Sequence, residues 1–326
     1  MTGFSPWQAR AWAQAMAALD AGRLPHALLV GGPAGLGKRT LVHALARRLL
    51  CATPREGYAC GQCRNCALVA AGTHPDLIEE TFEPNDKGEL RKEILIGQVR
   101  RLGEKLALTP QIAAAQVALI HPAEAMNRSA FNALLKTLEE PAAGRYLILV
   151  ADQPQRLPAT IRSRCQVLRL DLPPRAEALG WLAAHGHDAR PAREALDAAQ
   201  GNPGLAQEFI SGDALTLRRA VAGELAALAV GRTDAAELSV AWSGDRPALR
   251  LRFAGELVRD HLAVRAGADR ADLLSGAGPV APAAPLALAG WFDQAARALR
   301  ALDGPLRDDL QMAELLVAWK RLFAPA

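Results

Sequence analysis

The chain has 326 residues, with 50% hydrophobic and 22% charged side chains and a formal net charge of +4. Such a chain can bury a sizeable core and is expected to form two or three globular domains, which excludes a disordered or fibrous protein. The mildly basic charge and the aromatic content of only 5% argue against a surface specialised for direct nucleic-acid binding, because such surfaces combine clustered basic and aromatic side chains.

The longest uncharged stretch, residues 273–292, contains several glycines and prolines, among them Gly276, Gly278, Pro279, Pro282 and Pro285. Because prolines interrupt a membrane-spanning helix, we interpret this stretch as a loop between helices. The first residues lack a basic segment followed by an apolar run, so no secretion signal is expected. The expected compartment is therefore the cytoplasm.

The N-terminal part of the chain predicts a phosphate-binding loop. A helix is predicted at residues 7–19, an apolar strand at 24–30 and a second helix at 39–50. Between the strand and the second helix lies the segment Gly32-Pro33-Ala34-Gly35-Leu36-Gly37-Lys38. Strand, glycine-rich loop and helix is the order in which a P-loop places phosphate groups at a helix N-terminus.

The candidate nucleotide-binding residues of this loop are Gly32, Gly35, Gly37, Lys38, Arg39 and Thr40. Arg39 occupies the position where a metal-binding Ser or Thr should follow the lysine. Thr40 comes one residue late, which on a helix turns its side chain by about 100° away from the phosphates. Two interpretations stay open: a vestigial site that still binds ATP, and a loop whose glycines serve only tight packing.

Four cysteines form the sharpest candidate site. Cys60, Cys63 and Cys66 are each separated by two residues, and Cys51 lies at the end of the preceding helix. In a cytosolic protein this spacing favours a closed tetrahedral zinc site over two disulfides. Such a site is structural, because it leaves no coordination position for water. The fifth cysteine, Cys165, is interpreted as a small core residue.

Further strands are predicted at residues 76–78, 117–120 and 146–150, with helices at 96–106 and 129–139, the latter ended by Pro141. Strands that alternate with helices predict an α/β P-loop domain, in which a parallel sheet carries helices on both faces. Beyond Pro173-Pro174 the pattern is helical. We expect an α/β domain at 1–170 with a zinc module at about 51–66, a small helical lid at 171–213 and a helical C-terminal domain at 214–326.

A P-loop ATPase needs acidic residues at a second strand end to hold Mg²⁺ and orient water. At that position, after residues 117–120, the chain carries His121 and Pro122. Glu124 is a displaced candidate, but it lies past the strand end and beyond a proline. Hydrolysis by this chain is therefore not expected.

Arg164, in the string Ser163-Arg164-Cys165, permits two interpretations. It is either a solvated surface arginine or an arginine finger that reaches the nucleotide of a neighbouring subunit. A finger of this kind accelerates phosphoryl transfer by roughly 10³ to 10⁵.

Several stretches together resemble the clamp-loader branch of the AAA+ proteins. They are the glycine-rich loop with residues 24–29 before it, the four cysteines, Ser163-Arg164-Cys165, and the string Asn132-Ala133-Leu134-Leu135-Lys136-Thr137-Leu138-Glu139-Glu140-Pro141. The similarity runs from Pro6 to about Gly204, and the helical remainder fits in length. By this resemblance Arg164 is the finger, Cys51, Cys60, Cys63 and Cys66 hold structural Zn²⁺, and the C-terminal domain forms the oligomerisation collar.

The resemblance also implies a stator subunit of the bacterial DNA polymerase III clamp loader. Its expected partners are the ATP-hydrolysing gamma or tau subunits and the delta subunit, in a heteropentamer. Through the complex it would act on the sliding clamp and on primer-template DNA, at the nucleoid-associated replisome and with no membrane partner. No intrinsic ATPase is expected, although the chain would belong to a DNA-directed DNA polymerase holoenzyme.

One more departure from the motor subunits agrees with this. Those subunits carry an arginine in the helical lid that senses the γ-phosphate, and the matching residues 201–206 contain none. Two alternatives stay open: an ATP-hydrolysing motor subunit of the gamma or tau type, and a zinc-containing nucleic-acid-binding adaptor. The absent acids at His121 and Pro122 disfavour the first. The mostly apolar residues 67–72 that follow Cys66, with Arg64 the only basic residue between Cys60 and Cys66, disfavour the second.

Overall fold

A computed structural model describes residues 3–140, 142–268, 272–277, 283–302 and 307–323. Pro141, which the sequence assigns as a helix stop, lies outside this part of the chain. The chain divides into two compact units. The first contains the residues up to Trp181 together with Gly201–Leu205, and the second contains Leu182–Gln200 and the residues from Ala206 onward.

The first unit is built on a parallel five-stranded sheet. Its strands are β1 (Ala27–Gly31), β2 (Leu77–Glu80), β3 (Gln116–Ile120), β4 (Arg145–Ala151) and β5 (Gln166–Arg169), in the order β2-β3-β4-β1-β5. Strands β1 and β4 pair in parallel, and their register places Leu29 beside Leu149. All residues of β1 and β3 are buried, as expected for parallel strands covered on both faces.

Helices cover both faces of this sheet. They are α1 (Pro6–Asp20), α2 (Lys38–Leu50), α3 (Arg64–Ala70), α4 (Ile96–Ala107), α5 (Arg128–Glu139), α6 (Ala159–Arg162) and α7 (Arg175–Ala184). One core packs α4, α5 and α6 against the sheet, and the other packs α1 and α2. The fold class is therefore confirmed. Because the strands are parallel, their carboxyl ends bring the glycine-rich loop, His121 and Asp152 to one edge of the sheet.

The second unit is helical throughout its described residues. Its helices are α8 (Ala189–Ala198), α9 (Pro203–Ser211, whose residues 203–205 belong to the first unit), α10 (Ala214–Ala229), α11 (Ala235–Gly244), α12 (Pro247–Arg265), α13 (Leu273–Ala277), α14 (Pro285–Ala301) and α15 (Asp308–Arg321). Trp242, Trp291 and Trp319 are fully buried, and each indole N–H has an acceptor. Burial of these large side chains, with their polar atoms satisfied, explains how the unit forms its core.

The prediction of a loop at residues 273–292 is wrong over most of this stretch. Leu273–Ala277 and the residues from Pro285 onward are helical. Pro285 begins α14, a position where proline is tolerated because the first N–H groups of a helix lack internal partners. No helix in the described part of the chain is long and apolar enough to cross a membrane. The division into three domains at 170 and 213 stays a prediction.

A buried carboxylate fixes the loop before β3. Asp76 accepts hydrogen bonds from the backbone N–H groups of Gln111, Ile112 and Ala113, at 2.6, 2.9 and 2.9 Å. Burial by itself opposes ionisation of this carboxyl, but the three N–H donors outweigh burial and hold its pKa below the ordinary value.

Asp76→Asn is expected to lower the free energy of unfolding by about 1 to 3 kcal/mol at pH 7, because an amide NH₂ replaces one acceptor oxygen. Folding lowers the pKa of Asp76, so its contribution is complete above the unfolded pKa and is lost as pH falls through the folded value. Urea titrations of the wild-type protein and of Asp76→Asn should therefore give different free energies of unfolding at pH 7, and these should converge as the pH decreases. Exposed Asp86 supplies the control, Asp86→Asn, and equal stability of all three proteins at pH 7 would contradict the assignment.

Candidate functional site

The glycine-rich loop has the backbone of a phosphate-binding loop. Gly35 and Gly37 have φ values of 80° and 77°, and Gly37 caps the N-terminus of α2. A methyl group on Gly32 would lie 2.0 Å from the carbonyl oxygen of Leu170. Residues with side chains cannot adopt this path without strain, so the loop geometry requires these glycines.

The amine of Lys38 is fully engaged by its own chain. Lys38 is 4% exposed, and its Nζ donates to the carbonyl oxygens of Gly32 and Pro33, both at 2.6 Å. The third partner is Asp152, whose Oδ1 lies 2.6 Å from Nζ. An ammonium group has three N–H donors. All three donors of Lys38 therefore have partners within the loop and at the end of β4.

Three further side chains bind carbonyl groups of the same loop. Asn202 Nδ2 donates to Ala34 at 2.7 Å, Trp7 Nε1 to Leu36 at 3.0 Å, and Gln8 Nε2 to Gly37 at 2.9 Å. Asn202 belongs to the short segment Gly201–Leu205 of the first unit. A methyl group on Gly204, in that segment, would lie 1.9 Å from the carbonyl oxygen of Gly35. The segment thus packs directly on the loop.

At the end of β3, His121 and Glu124 take structural positions. Burial, followed by the charge of Arg39, lowers the pKa of His121. Glu124 Oε1 accepts the backbone N–H groups of Asp152 and Gln153 at 2.8 and 2.9 Å. Arg39 and Thr40 are exposed. The carboxylate of Glu124 therefore fixes the turn that carries Asp152.

Sequence reasoning missed Asp152, Asn202, Trp7 and Gln8 as contributors to this site. A signal existed for Asp152, because it follows the buried strand β4 directly and the carboxyl ends of parallel strands meet at one edge. Asn202, Trp7 and Gln8 each contribute by donating a side-chain hydrogen bond to a carbonyl group that is distant in the sequence. Asn202, for instance, lies 168 residues from its partner Ala34, and no spacing rule predicts such a contact.

The four cysteines come together. The Sγ atoms of Cys51, Cys60, Cys63 and Cys66 all lie within 4.8 Å of one another. Cys51 ends α2 and Cys63 caps the N-terminus of α3. Backbone N–H groups of Cys60, Cys63 and Cys66 point to the sulfurs of the preceding cysteines, at 3.3 to 3.5 Å. Four sulfurs in this arrangement can hold a metal ion and fit a structural zinc site.

The thiols of this cluster differ in electrostatic environment. A hydrogen bond from the Thr53 hydroxyl, aided by backbone N–H groups, lowers the pKa of Cys60 to about 5. Burial raises the pKa of Cys66 to about 12. Outside the cluster, burial also raises the pKa of Cys165, to about 11, as expected for a thiol in an apolar core.

The loop closed by the cysteines covers α1. The Tyr58 ring stacks on the Trp12 ring at 5.1 Å between centroids and 12° between planes. The Phe4 ring lies 5.2 Å from Trp12 and 6.4 Å from Tyr58. On the other side of the cluster, Asn65 donates to the carbonyl oxygen of Leu50 at 2.7 Å. The cysteine segment is thus attached to both α1 and α2.

Arg164 lies at the surface, after α6. Its side chain is 39% exposed. Nη1 donates to the Thr160 carbonyl oxygen at 3.0 Å, and Nη2 lies 2.7 Å from Oε1 of Glu139. The guanidinium is therefore held by two contacts and is partly exposed to solvent.

The five-stranded parallel sheet, with a glycine-rich loop after β1 and helices on both faces, defines an α/β P-loop domain of the AAA+ type. A family model described as "DNA polymerase III, delta subunit" matches residues 7–174. A relative from Pseudomonas aeruginosa, DNA polymerase III subunit delta', is 42% identical over 223 residues, which are 68% of this chain and 65% of the relative. The Escherichia coli K12 subunit delta' is 36% identical over 266 residues, 81% of this chain and 77% of the relative.

The chain therefore belongs to the DNA polymerase III delta' subunit family. The subunit tau of Salmonella typhimurium is also similar, with 37% identity over 147 residues, 45% of this chain and 22% of the relative. The similarity to tau covers less than half of this chain, whereas the similarity to the delta' subunits covers more than two thirds of it.

Cys63→Ser is expected to remove most of the bound zinc and to lower the melting temperature, because metal binding contributes roughly 10 kcal/mol to folding in small zinc modules. Metal content per chain, measured by plasma mass spectrometry on the purified protein, checks this. Cys165→Ser is the matched control, since Cys165 is buried but outside the cluster. Wild-type zinc content in Cys63→Ser would show that the ligand assignment is wrong.

Proposed function

We propose that this chain is a non-hydrolysing stator subunit of the DNA polymerase III clamp loader. Its partners would be gamma or tau motor subunits and a delta subunit in a heteropentamer that loads the sliding clamp onto primer-template DNA in the cytoplasm. Membership of the delta' family supports this role. The three-domain division at 1–170, 171–213 and 214–326 is part of the same proposal.

The observation that carries the non-hydrolysing role is the environment of Lys38. Its amine is bound by two loop carbonyl groups and by Asp152. A phosphate group would have to displace these contacts to bind the Lys38 amine. Other carbonyl groups of the loop, those of Ala34, Leu36 and Gly37, bind the side chains of Asn202, Trp7 and Gln8 and hold the loop in place. The strand end where acids should bind Mg²⁺ carries His121 and Pro122. The loop therefore serves as a packed structural element and not as an ATPase site.

Lys38→Ala is expected to leave clamp loading by the reconstituted complex within about twofold of wild type. The variant should lose about 1 to 3 kcal/mol of unfolding free energy, because the loop carbonyls and Asp152 lose their donor. Circular dichroism melts and a clamp-loading assay with primed DNA check the two parts. Severe loss of loading by a folded variant would show that nucleotide in this loop matters.

The second part of the proposal is that Arg164 is an arginine finger for the ATP site of an adjacent motor subunit. Its exposed position after α6 supports this, since an arginine finger must extend from the surface of its own subunit to reach the nucleotide of another. The planar guanidinium offers several N–H donors to phosphate oxygens in a fixed geometry. Zn²⁺ held by the four cysteines would have a structural role, as it leaves no position for a substrate.

Arg164→Ala should slow ATP turnover at the adjoining motor site, by as much as roughly 10³. Folding should be nearly unchanged, because an exposed ion pair contributes only about 0 to 1 kcal/mol. Steady-state phosphate release by the complex with clamp and primed DNA measures this. Arg162→Ala, an exposed arginine in the same turn, is the matched control. Wild-type turnover by Arg164→Ala would refute the finger.

A further inference from the structure

We propose that Glu139 is a positioning residue for Arg164, an inference that rests on the proposed finger role. Glu139 is the last residue of α5, and its Oε1 lies 2.7 Å from Nη2 of Arg164. The Thr160 carbonyl oxygen accepts from Nη1 at 3.0 Å. Two acceptors from two helices therefore hold one edge of the guanidinium.

The core beneath this pair determines where it lies. Leu138, which precedes Glu139, is buried in the same hydrophobic cluster as Ile161 of α6 and Cys165. Ile161 and Cys165 flank Arg164 in the sequence, and their packing in one cluster with Leu138 attaches the turn that carries Arg164 to the end of α5. The relative position of the carboxylate and the guanidinium is therefore determined by packing, and not only by their mutual attraction.

The two contacts orient the Arg164 side chain without using all of its N–H donors. A guanidinium has five N–H donors, and the contacts with Thr160 and Glu139 use one donor on each of Nη1 and Nη2. A guanidinium that is 39% exposed can still bind phosphate oxygens through further donors, in the planar geometry that arginine favours. A free arginine side chain would lose its rotamer freedom when it binds. Glu139 reduces this loss by restricting the side chain beforehand.

The pair is too weak to be a fold-stabilising device. The two side chains are 39% and 51% exposed, and exposed ion pairs contribute little to the free energy of folding because solvent screens them. Loss of Glu139 should therefore leave the fold intact. Its effect should appear only where the direction of Arg164 matters.

The test is a double-mutant cycle in the reconstituted complex, with ATP turnover as the readout. Glu139→Ala should reduce turnover about three- to tenfold, and Glu139→Gln should recover most of it because an amide oxygen still accepts from Nη2. In the Arg164→Ala background, Glu139→Ala should add no further loss, since residues that act as a unit are non-additive. Glu140→Ala, at the next position, is the control and should match wild type.

The outcomes separate the two claims. If Arg164→Ala alone leaves turnover unchanged, the finger itself is refuted, and the role of Glu139 falls with it. If Arg164→Ala slows turnover but Glu139→Ala does not, only the positioning role is overturned. Equal losses from Glu139→Ala with and without Arg164 would show that Glu139 acts elsewhere.

A second, independent observation concerns the four-cysteine segment, and we infer that it supports α1 against the glycine-rich loop. Tyr58, within the segment, stacks on Trp12 of α1. One turn earlier on α1, Trp7 and Gln8 bind the carbonyl groups of Leu36 and Gly37. Metal in the cluster would fix the position of Tyr58, and the stacked rings would transmit that order to α1. This inference rests on the proposed zinc site.

Hydrogen exchange measured by mass spectrometry on the full chain tests this connection. Removal of zinc by a chelator should raise exchange in peptides of α1 at least severalfold, while peptides of α5 stay protected. Tyr58→Ala should reproduce the effect on α1 with zinc content unchanged, and Tyr58→Phe, which keeps the ring, should not. Unchanged exchange in α1 after chelation or in Tyr58→Ala would overturn the inference, as would a purified chain that holds no zinc.

Discussion

The three contacts of the Lys38 amine determine how the edge of the sheet that carries the glycine-rich loop is organised. A buried ammonium is tolerated only when charge and hydrogen bonds compensate for its lost hydration. Here Gly32, Pro33 and Asp152 provide that compensation. Asp152 is in turn fixed by Glu124, which binds its backbone N–H. The loop that would cradle phosphate is thus bound to the chain itself.

This constraint connects features that are distant in the sequence. Trp7 and Gln8 of α1 and Asn202 of the segment Gly201–Leu205 all bind carbonyl groups of the loop. Helix α1 also carries Trp12, on which Tyr58 of the cysteine segment stacks. The proposed stator role requires a domain that keeps its shape without ATP, and these contacts within the chain support that proposal. The exposed Arg164, by contrast, lies outside this bonded network and remains accessible to a neighbour.

Much of the fold could be predicted because its signals are local. Continuous apolar runs identified β1, β3 and β4, and the spacing of the four cysteines predicted one cluster. The contacts that bind the loop could not be predicted, because they join side chains to backbone groups far away in the sequence. The helix from Pro285 could not be predicted for a different reason. The prolines and glycines of residues 273–292 are typical of a loop, yet Pro285 occupies the tolerated first position of α14. The pairing of Arg164 with Glu139 also depended on tertiary packing of α5 and α6.

Calorimetric titration of the purified, zinc-loaded chain with Mg²⁺-ATP, followed by a sensitive phosphate-release assay on the same sample, shows whether the glycine-rich loop binds and hydrolyses nucleotide. We expect no stoichiometric binding at micromolar nucleotide and no phosphate release above background, because all three N–H donors of the Lys38 amine are bound within the chain. One equivalent of tightly bound ATP with steady turnover would contradict this expectation and would identify the chain as a motor subunit.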